Sequence, residues 1–208
     1  MTVRRPDGRT ALVVGCLLLA VGPSGHPAVA QVSVRLSLGA RYATSLVKDS
    51  IVVPIDLRPT IAPALQLTVR DQLRGPWAVD GILDLTPAKL KREEGGTTAD
   101  AGSFTAIAFM VGLRREMHAS VAVRFGFGGV VYSAEQAGLF GRGSGGVHPL
   151  ISLGGSYAPS FGARRRFEVG LTYDLHRFMT PALRSTGFPR PRPVHRIALT
   201  VSGRLIGR

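Results

Sequence analysis

Arginine and carboxylate residues recur in this chain at positions that could form one buried ionic set. Arg35, Arg41, Arg70, Arg114, Arg124, Arg196 and Arg204 stand with Asp80, Asp84, Glu168 and Asp174 in segments where every second residue is apolar. Seven cations and four anions on one face suit two chemistries. Inside a closed wall they would pair into a structural network, because a buried guanidinium left without a carboxylate is strongly destabilising. Around an open pore, a surplus of arginine would favour anions. Acid–base chemistry is a third possibility, since Asp174-Leu175-His176 and Val194-His195-Arg196 bring carboxylate and imidazole close in the chain, with Ser185 and Thr186 between them. No His-x-Ser pair falls on an alternating segment, so these histidines read as groups satisfied by a neighbour and no catalytic residue is assigned. His118 and His148 have no partner at ligand spacing, and neither a metal nor a cofactor is implied.

The elements that must position the charged set are strands. In residues 32–42 every even position is apolar and every odd one is Ser, Arg or Gly. A strand turns successive side chains to opposite faces, so this segment has one apolar face and one carrying charge. The pattern returns in 61–70, 77–86, 104–114, 121–128, 147–157, 167–176 and 194–206, which makes eight segments. Their connections alternate long and short. The long ones are 43–60, with its apolar part at 51–55, the polar and Gly-rich 87–103, read as a solvated loop, the Gly-rich 133–146, and 177–193, whose Pro-Arg-Pro-Arg-Pro excludes regular structure. The short ones include the Leu73-Arg74-Gly75-Pro76 turn, the turn through Met117 and His118, and the basic 158–166.

The first thirty residues read as a secretory signal. Arg4, Arg5 and Arg9 form a basic region, residues 11–22 an apolar run, and Ala28-Val29-Ala30 a small-residue cleavage site, so the expected mature chain begins at Gln31. The apolar run is too short for a spanning helix, which needs about twenty residues. Cys16 lies within it and would leave with the signal, and the apolar residues after it argue against a lipoprotein site. The remaining 31–208 read as one domain without disulfides. The formal charge of +13 falls to +11 when residues 1–30, with three Arg and one Asp, are removed. That balance does not indicate nucleic acid, because the arginines recur singly on strand faces and the only lysines, Lys48, Lys89 and Lys91, lie between strands.

Alternation alone does not say which face is inside. Three features favour a membrane wall. The loop alternation matches a barrel with its termini and short turns on the periplasmic side. The charged face carries Arg among Ser, Thr, Gly and Ala with no Lys, which suits a crowded lumen better than a solvated exterior. Aromatic residues gather at strand ends, with Trp77, Tyr157 and Phe167 at the short-turn end and Tyr42, Phe104, Tyr132 and Phe178 at the long-loop end, as two girdles would require. The expected fold is therefore all-β, an eight-stranded antiparallel up-and-down transmembrane barrel.

On signal peptide, strand count, loop alternation and terminal strand, the mature chain resembles the small eight-stranded outer-membrane barrels of Gram-negative bacteria, of the OmpA transmembrane domain and OmpX type. It departs from them in ending Leu205-Ile206-Gly207-Arg208 rather than in an aromatic residue. The resemblance implies a monomeric outer-membrane protein with a side-chain-filled lumen. Its partners would be membrane lipid, lipopolysaccharide and the outer-membrane assembly machinery, its role structural or surface-interacting through four long loops. A narrow anion-preferring channel is the alternative. Because some barrels of this architecture modify lipid A using His with Ser, a lipid A-modifying enzyme is a more distant one.

Overall fold

A computed structural model of the chain describes residues 32–49, 55–134, 146–159, 167–185 and 190–206. The expected signal at 1–30 with Cys16, the expected mature terminus Gln31, residues 51–54, most of the 133–146 stretch, most of the 158–166 turn, Thr186 and the Gly207-Arg208 end lie outside the described residues.

The elements in chain order are β1 (Val32–Ala43), β2 (Val47–Asp49), β3 (Ile55–Pro59), β4 (Ala62–Gln72), β5 (Trp77–Glu94), β6 (Thr97–His118), β7 (Val121–Ala134), β8 (Val147–Tyr157), β9 (Phe167–Phe178), the helical turn α1 (Pro181–Ser185) and β10 (Arg192–Ile206). Eight of the strands, β1 and β4 to β10, pair antiparallel with their neighbours in sequence, and β10 returns to pair with β1 from Val34↔Ile206 to Ala43↔Arg196. The wall is closed. Closure leaves no unpaired edge around the ring, which lipid would not tolerate.

The two faces of this wall carry opposite chemistries. Leu38, Leu83, Val111, Phe125, Phe127, Ile151, Leu171 and Leu199 are exposed on the outside, Phe127 at 66% and Leu199 at 58%. Asp80 and Asp84, on the inside, are 0% exposed, and Arg41 and Arg196 are 2%. A soluble barrel would show the reverse. The polar interior is possible only because each outward apolar residue is followed by an inward small or charged one, the period of two read from the chain.

Close approach between neighbouring strands requires glycine, at the closing β1–β10 seam and again between β6 and β7. A Cβ on Gly39 would lie 1.9 Å from the Leu199 carbonyl oxygen, and one on Gly128 would lie 1.9 Å from that of Phe109. No rotamer relieves a contact with backbone.

Two connections depart from expectation. Residues 87–103 are not a solvated loop: β5 and β6 continue as a ladder to Glu94↔Thr97, turning through Gly95 and Gly96 at φ of 55° and 84°. Their polar composition reports water on the strands, not absence of backbone pairing. β3 adds to this extension from Ile55↔Glu94 to Pro59↔Leu90 and β2 adds to β3, so the wall rises on that side beyond the apolar belt. In 177–193, β9 runs on to Phe178 and β10 begins at Arg192, with α1 between. Thr180 caps α1 by accepting a bond from the Leu183 N–H at 3.1 Å, and Pro181 takes the first helical position, where its missing N–H is harmless.

Candidate functional site: a filled lumen

The lumen has two layers. In the half nearer the short turns, Glu168 on β9 is a hub: Arg35 Nη1 of β1 donates to Oε2 at 2.7 Å, and Arg114 Nη1 of β6 lies 2.8 Å from Oε1. Arg70 of β4 stands 3.7 Å from Glu168 and grips Asp80 of β5 through two bonds, Nε at 2.7 Å and Nη2 at 3.3 Å. That fork-on-fork geometry is the strong form of the guanidinium–carboxylate contact. Toward the other end, Asp84 on β5 accepts from Arg41 Nη1, Arg196 Nη2 at 3.2 Å, Gln66 Nε2 at 2.8 Å and Thr86 Oγ1 at 3.1 Å. Asp174 faces Arg41 at 3.6 Å. Apart from Arg70–Asp80 and Gln66–Asp84, which join the neighbours β4 and β5, and Thr86–Asp84 within β5, these contacts join strands that are not neighbours in the wall.

Ten of the eleven residues singled out by pattern thus face the lumen. Arg204 does not join them. It lies near the end of β10 opposite Arg35, is exposed, and makes no ion pair among the described residues. At the mouth of a barrel, water replaces a carboxylate partner. Arg124 faces inward but also makes no ion pair among the described residues, and its Nε has no hydrogen-bond partner.

The half of the lumen nearer the long connections is closed by an apolar plug that pattern reading missed. Phe104, Tyr132 and Phe178, expected in the lipid-facing girdle, are 5%, 2% and 2% exposed and point inward. Tyr132 meets Phe178 edge-on at 5.2 Å and Phe104 at 5.6 Å, and its hydroxyl bonds His176 Nε2 at 2.7 Å. Leu46 from the β1–β2 connection, Val47 of β2, Leu57 of β3, Leu90 of β5 and Leu183 of α1 belong to the same cluster. The signal was present in the chain, because Phe104, Tyr132 and Phe178 share even parity with Arg114, Arg124 and Asp174 on their own strands. Position at a strand end does not override the alternation. Tyr42, Trp77, Tyr157 and Phe167 have outward parity and are exposed, and Arg115 stacks on Trp77 at 5.1 Å from the ring centre.

The residues considered for acid–base work do not converge. His176 points into the lumen toward Tyr132, whereas His195 is on the opposite face and takes part in a 2.7 Å bond with the Tyr173 hydroxyl. Ser185 Oγ bonds the Ala182 carbonyl at 2.8 Å. The principal cavity inside the ionic layer measures about 40 Å³. About three waters fill such a space. A second, beside Arg41 and Tyr132, measures about 10 Å³.

A closed eight-stranded antiparallel wall, apolar outside and ionic inside, is a small transmembrane β-barrel of the outer-membrane type. Solved structures of such proteins are similar to this chain. Ail, the attachment invasion locus protein of Yersinia pestis, in complex with the heparin analogue sucrose octasulfate, aligns over 84% of this chain and 99% of its own, with a TM-score of 0.53 at 15% identity. Neisserial surface protein A covers 84% of this chain and 97% of its own at a TM-score of 0.48 and 10% identity. OprG from Pseudomonas aeruginosa covers 85% here and 96% there at 0.47 and 9%. No family model and no curated protein matches the chain.

Proposed function

We propose that this is an integral outer-membrane protein whose lumen is a structural brace and whose working surface is the outer end of the barrel. The observation that carries this reading is the inverted burial, with Phe127 and Leu199 exposed on the wall while Asp84 and Arg196 are withdrawn from water. Such a wall is stable only where the surrounding solvent is hydrocarbon. The apolar plug and the paired arginines support a filled lumen over the anion channel, because a conducting ring needs its cations facing water. The outer working surface is the β5–β6 extension with β2 and β3, which presents Lys48, Arg58, Lys89 and Lys91 beyond the apolar belt. Arg58 is paired with Glu93 at 3.2 Å, whereas Lys48, Lys89 and Lys91 make no ion pair among the described residues and suit the phosphates of lipopolysaccharide or an anionic surface partner. Export by the 1–30 segment, assembly by the outer-membrane machinery and a monomeric state belong to the same reading.

Cysteine labelling tests the location and the orientation together, because residues 31–208 contain no cysteine. Thr97→Cys, beside the tip of the β5–β6 extension, should react with a membrane-impermeant maleimide on intact cells. Arg74→Cys, in the short turn before β5, should react only after lysis. Equal labelling of both, or the reverse order, refutes the reading.

A further inference from the structure

The lower layer of the lumen holds more positive charge than its carboxylates balance. Near the plug, Arg41 and Arg196 face Asp84 and Asp174, so that layer is even. In the layer nearer the short turns, where the exposed Glu116 adds a carboxylate at the mouth near Arg70, the four cations Arg35, Arg70, Arg114 and Arg124 share two buried carboxylates, Asp80 and Glu168, which leaves cations in excess. The first three touch one or both of these carboxylates. Arg124 touches neither.

Its placement is nevertheless built. Arg114 and Arg124 are direct partners across the β6–β7 ladder, where like charges repel. Arg114 turns to Glu168, while Arg124 lies across Gly112 and Gly154: a Cβ on Gly112 would meet its Cγ and Cδ at 3.1 Å, and one on Gly154 would meet its Nη2 at 3.2 Å. Two glycines thus leave the space that the side chain occupies. Arg124 borders the cavity of about 40 Å³ together with Arg35, Arg70, Arg114, Thr172 and Thr200, and with Glu168, whose two oxygens are already engaged by Arg35 and Arg114.

We infer that a small monovalent inorganic anion, of the size of chloride, binds in this cavity against Arg124. Arginine does not lose its proton in proteins, so it cannot relieve the surplus by neutralising itself. A buried unpaired charge is strongly unfavourable, and a counter-ion supplies what the chain lacks. At about 10–15 Å³ for each water-sized sphere, the cavity admits a chloride-sized ion with one or two waters. The ion enters from the mouth marked by the exposed Arg204 and completes the brace.

The test is the temperature at which the folded gel band of the purified barrel, held in phosphatidylcholine vesicles, is lost. Sodium chloride or bromide is titrated against sodium gluconate at constant ionic strength. The wild-type midpoint should rise by several degrees and saturate in chloride and bromide, since a ligand bound only by the folded state stabilises it. Arg124→Gln should show no such response, and in gluconate its midpoint should equal or exceed that of wild type. Equal wild-type midpoints in the two salts, or a full chloride response in Arg124→Gln, overturn the inference. Should that variant not fold, bromide-soaked wild-type crystals decide. An anomalous peak within hydrogen-bonding reach of the Arg124 guanidinium supports the site, and an empty cavity at saturating bromide overturns it.

Discussion

Replacing Asp84 by asparagine should destabilise the barrel by about 3–5 kcal/mol, the usual consequence of stranding a buried partner charge. The carboxylate is 0% exposed and accepts from Arg41, Arg196, Gln66 and Thr86. Asparagine keeps its shape and one acceptor oxygen, so the substitution removes charge and little else. Arg41 and Arg196, each 2% exposed, cannot exchange the lost partner for water, and the remaining carboxylate, Asp174, stands 3.6 Å from Arg41. For a chain of this size each kcal/mol moves the melting midpoint by roughly 2–4 °C, so the folded gel band should be lost roughly 6–20 °C lower. The effect comes from leaving cations unpaired rather than from the net worth of the pair. Asp84→Asn combined with Arg41→Met should therefore recover most of the loss, and the two single changes should be strongly non-additive. Urea titration in vesicles measures both. A single-variant loss below about 1 kcal/mol, or a double variant equal to the sum of its parts, refutes the reasoning.

Three further outcomes follow from the geometry. Leu199→Arg, in the middle of the outward face, should reduce stability in phosphatidylcholine vesicles by about 2–4 kcal/mol, whereas Ile206→Arg at the strand end should change it by about 0–1 kcal/mol; equal effects would mean the belt is not in lipid. Gly39→Val should block closure of the β1–β10 seam, because its Cβ has no space beside the Leu199 carbonyl, and the yield of heat-modifiable protein should collapse. A normal yield would show that the seam can open enough to admit a side chain. Thr180→Ala should weaken α1 by about 1 kcal/mol, read as faster amide exchange at Leu183 with the β9–β10 ladder unchanged. Unchanged exchange there would remove the capping role.

The ring of eight strands was legible because its signal is local. Arg35, Arg41 and Arg70, and likewise Leu36, Leu38 and Leu67, announce their faces by parity, and a face once assigned holds for the whole strand. Ten of the eleven charged residues could be placed in this way. Who pairs with whom could not, since Glu168 meets Arg35, Arg70 and Arg114 across the lumen, and that depends on how far each strand is staggered around the ring. The extension of β5 and β6 was hidden for a different reason. Above the belt the outer face meets water, and inward only Ala88, Leu90 and Ala101 pack against the plug, so residues 87–103 carry little apolar period although their backbones remain paired. The girdle expectation for Phe104, Tyr132 and Phe178 went wrong by weighing position along the strand above parity.

The placement of the charges bears on register more than on raw stability. A one-residue slip of any wall strand exchanges its faces. For β1 it would carry Arg35 and Arg41 into hydrocarbon and bring Leu36 and Leu38 against Glu168 and Asp84. For β9 it would expose Glu168 and Asp174 to lipid and strip Arg35 and Arg114 of their shared partner. An apolar lumen would penalise such slips on one face only, because its displaced residues would be at home in lipid. An ionic lumen penalises them on both. Partners drawn from β1, β4, β6 and β9 also meet only when the wall has closed, so the pairing favours the complete ring over any open sheet with the same local strands. The aromatic plug cannot supply that selectivity, since Phe104 or Phe178 turned outward would sit comfortably in the membrane. The division of the lumen follows: charge specifies closure and register in the spanning half, and apolar packing seals the outer end.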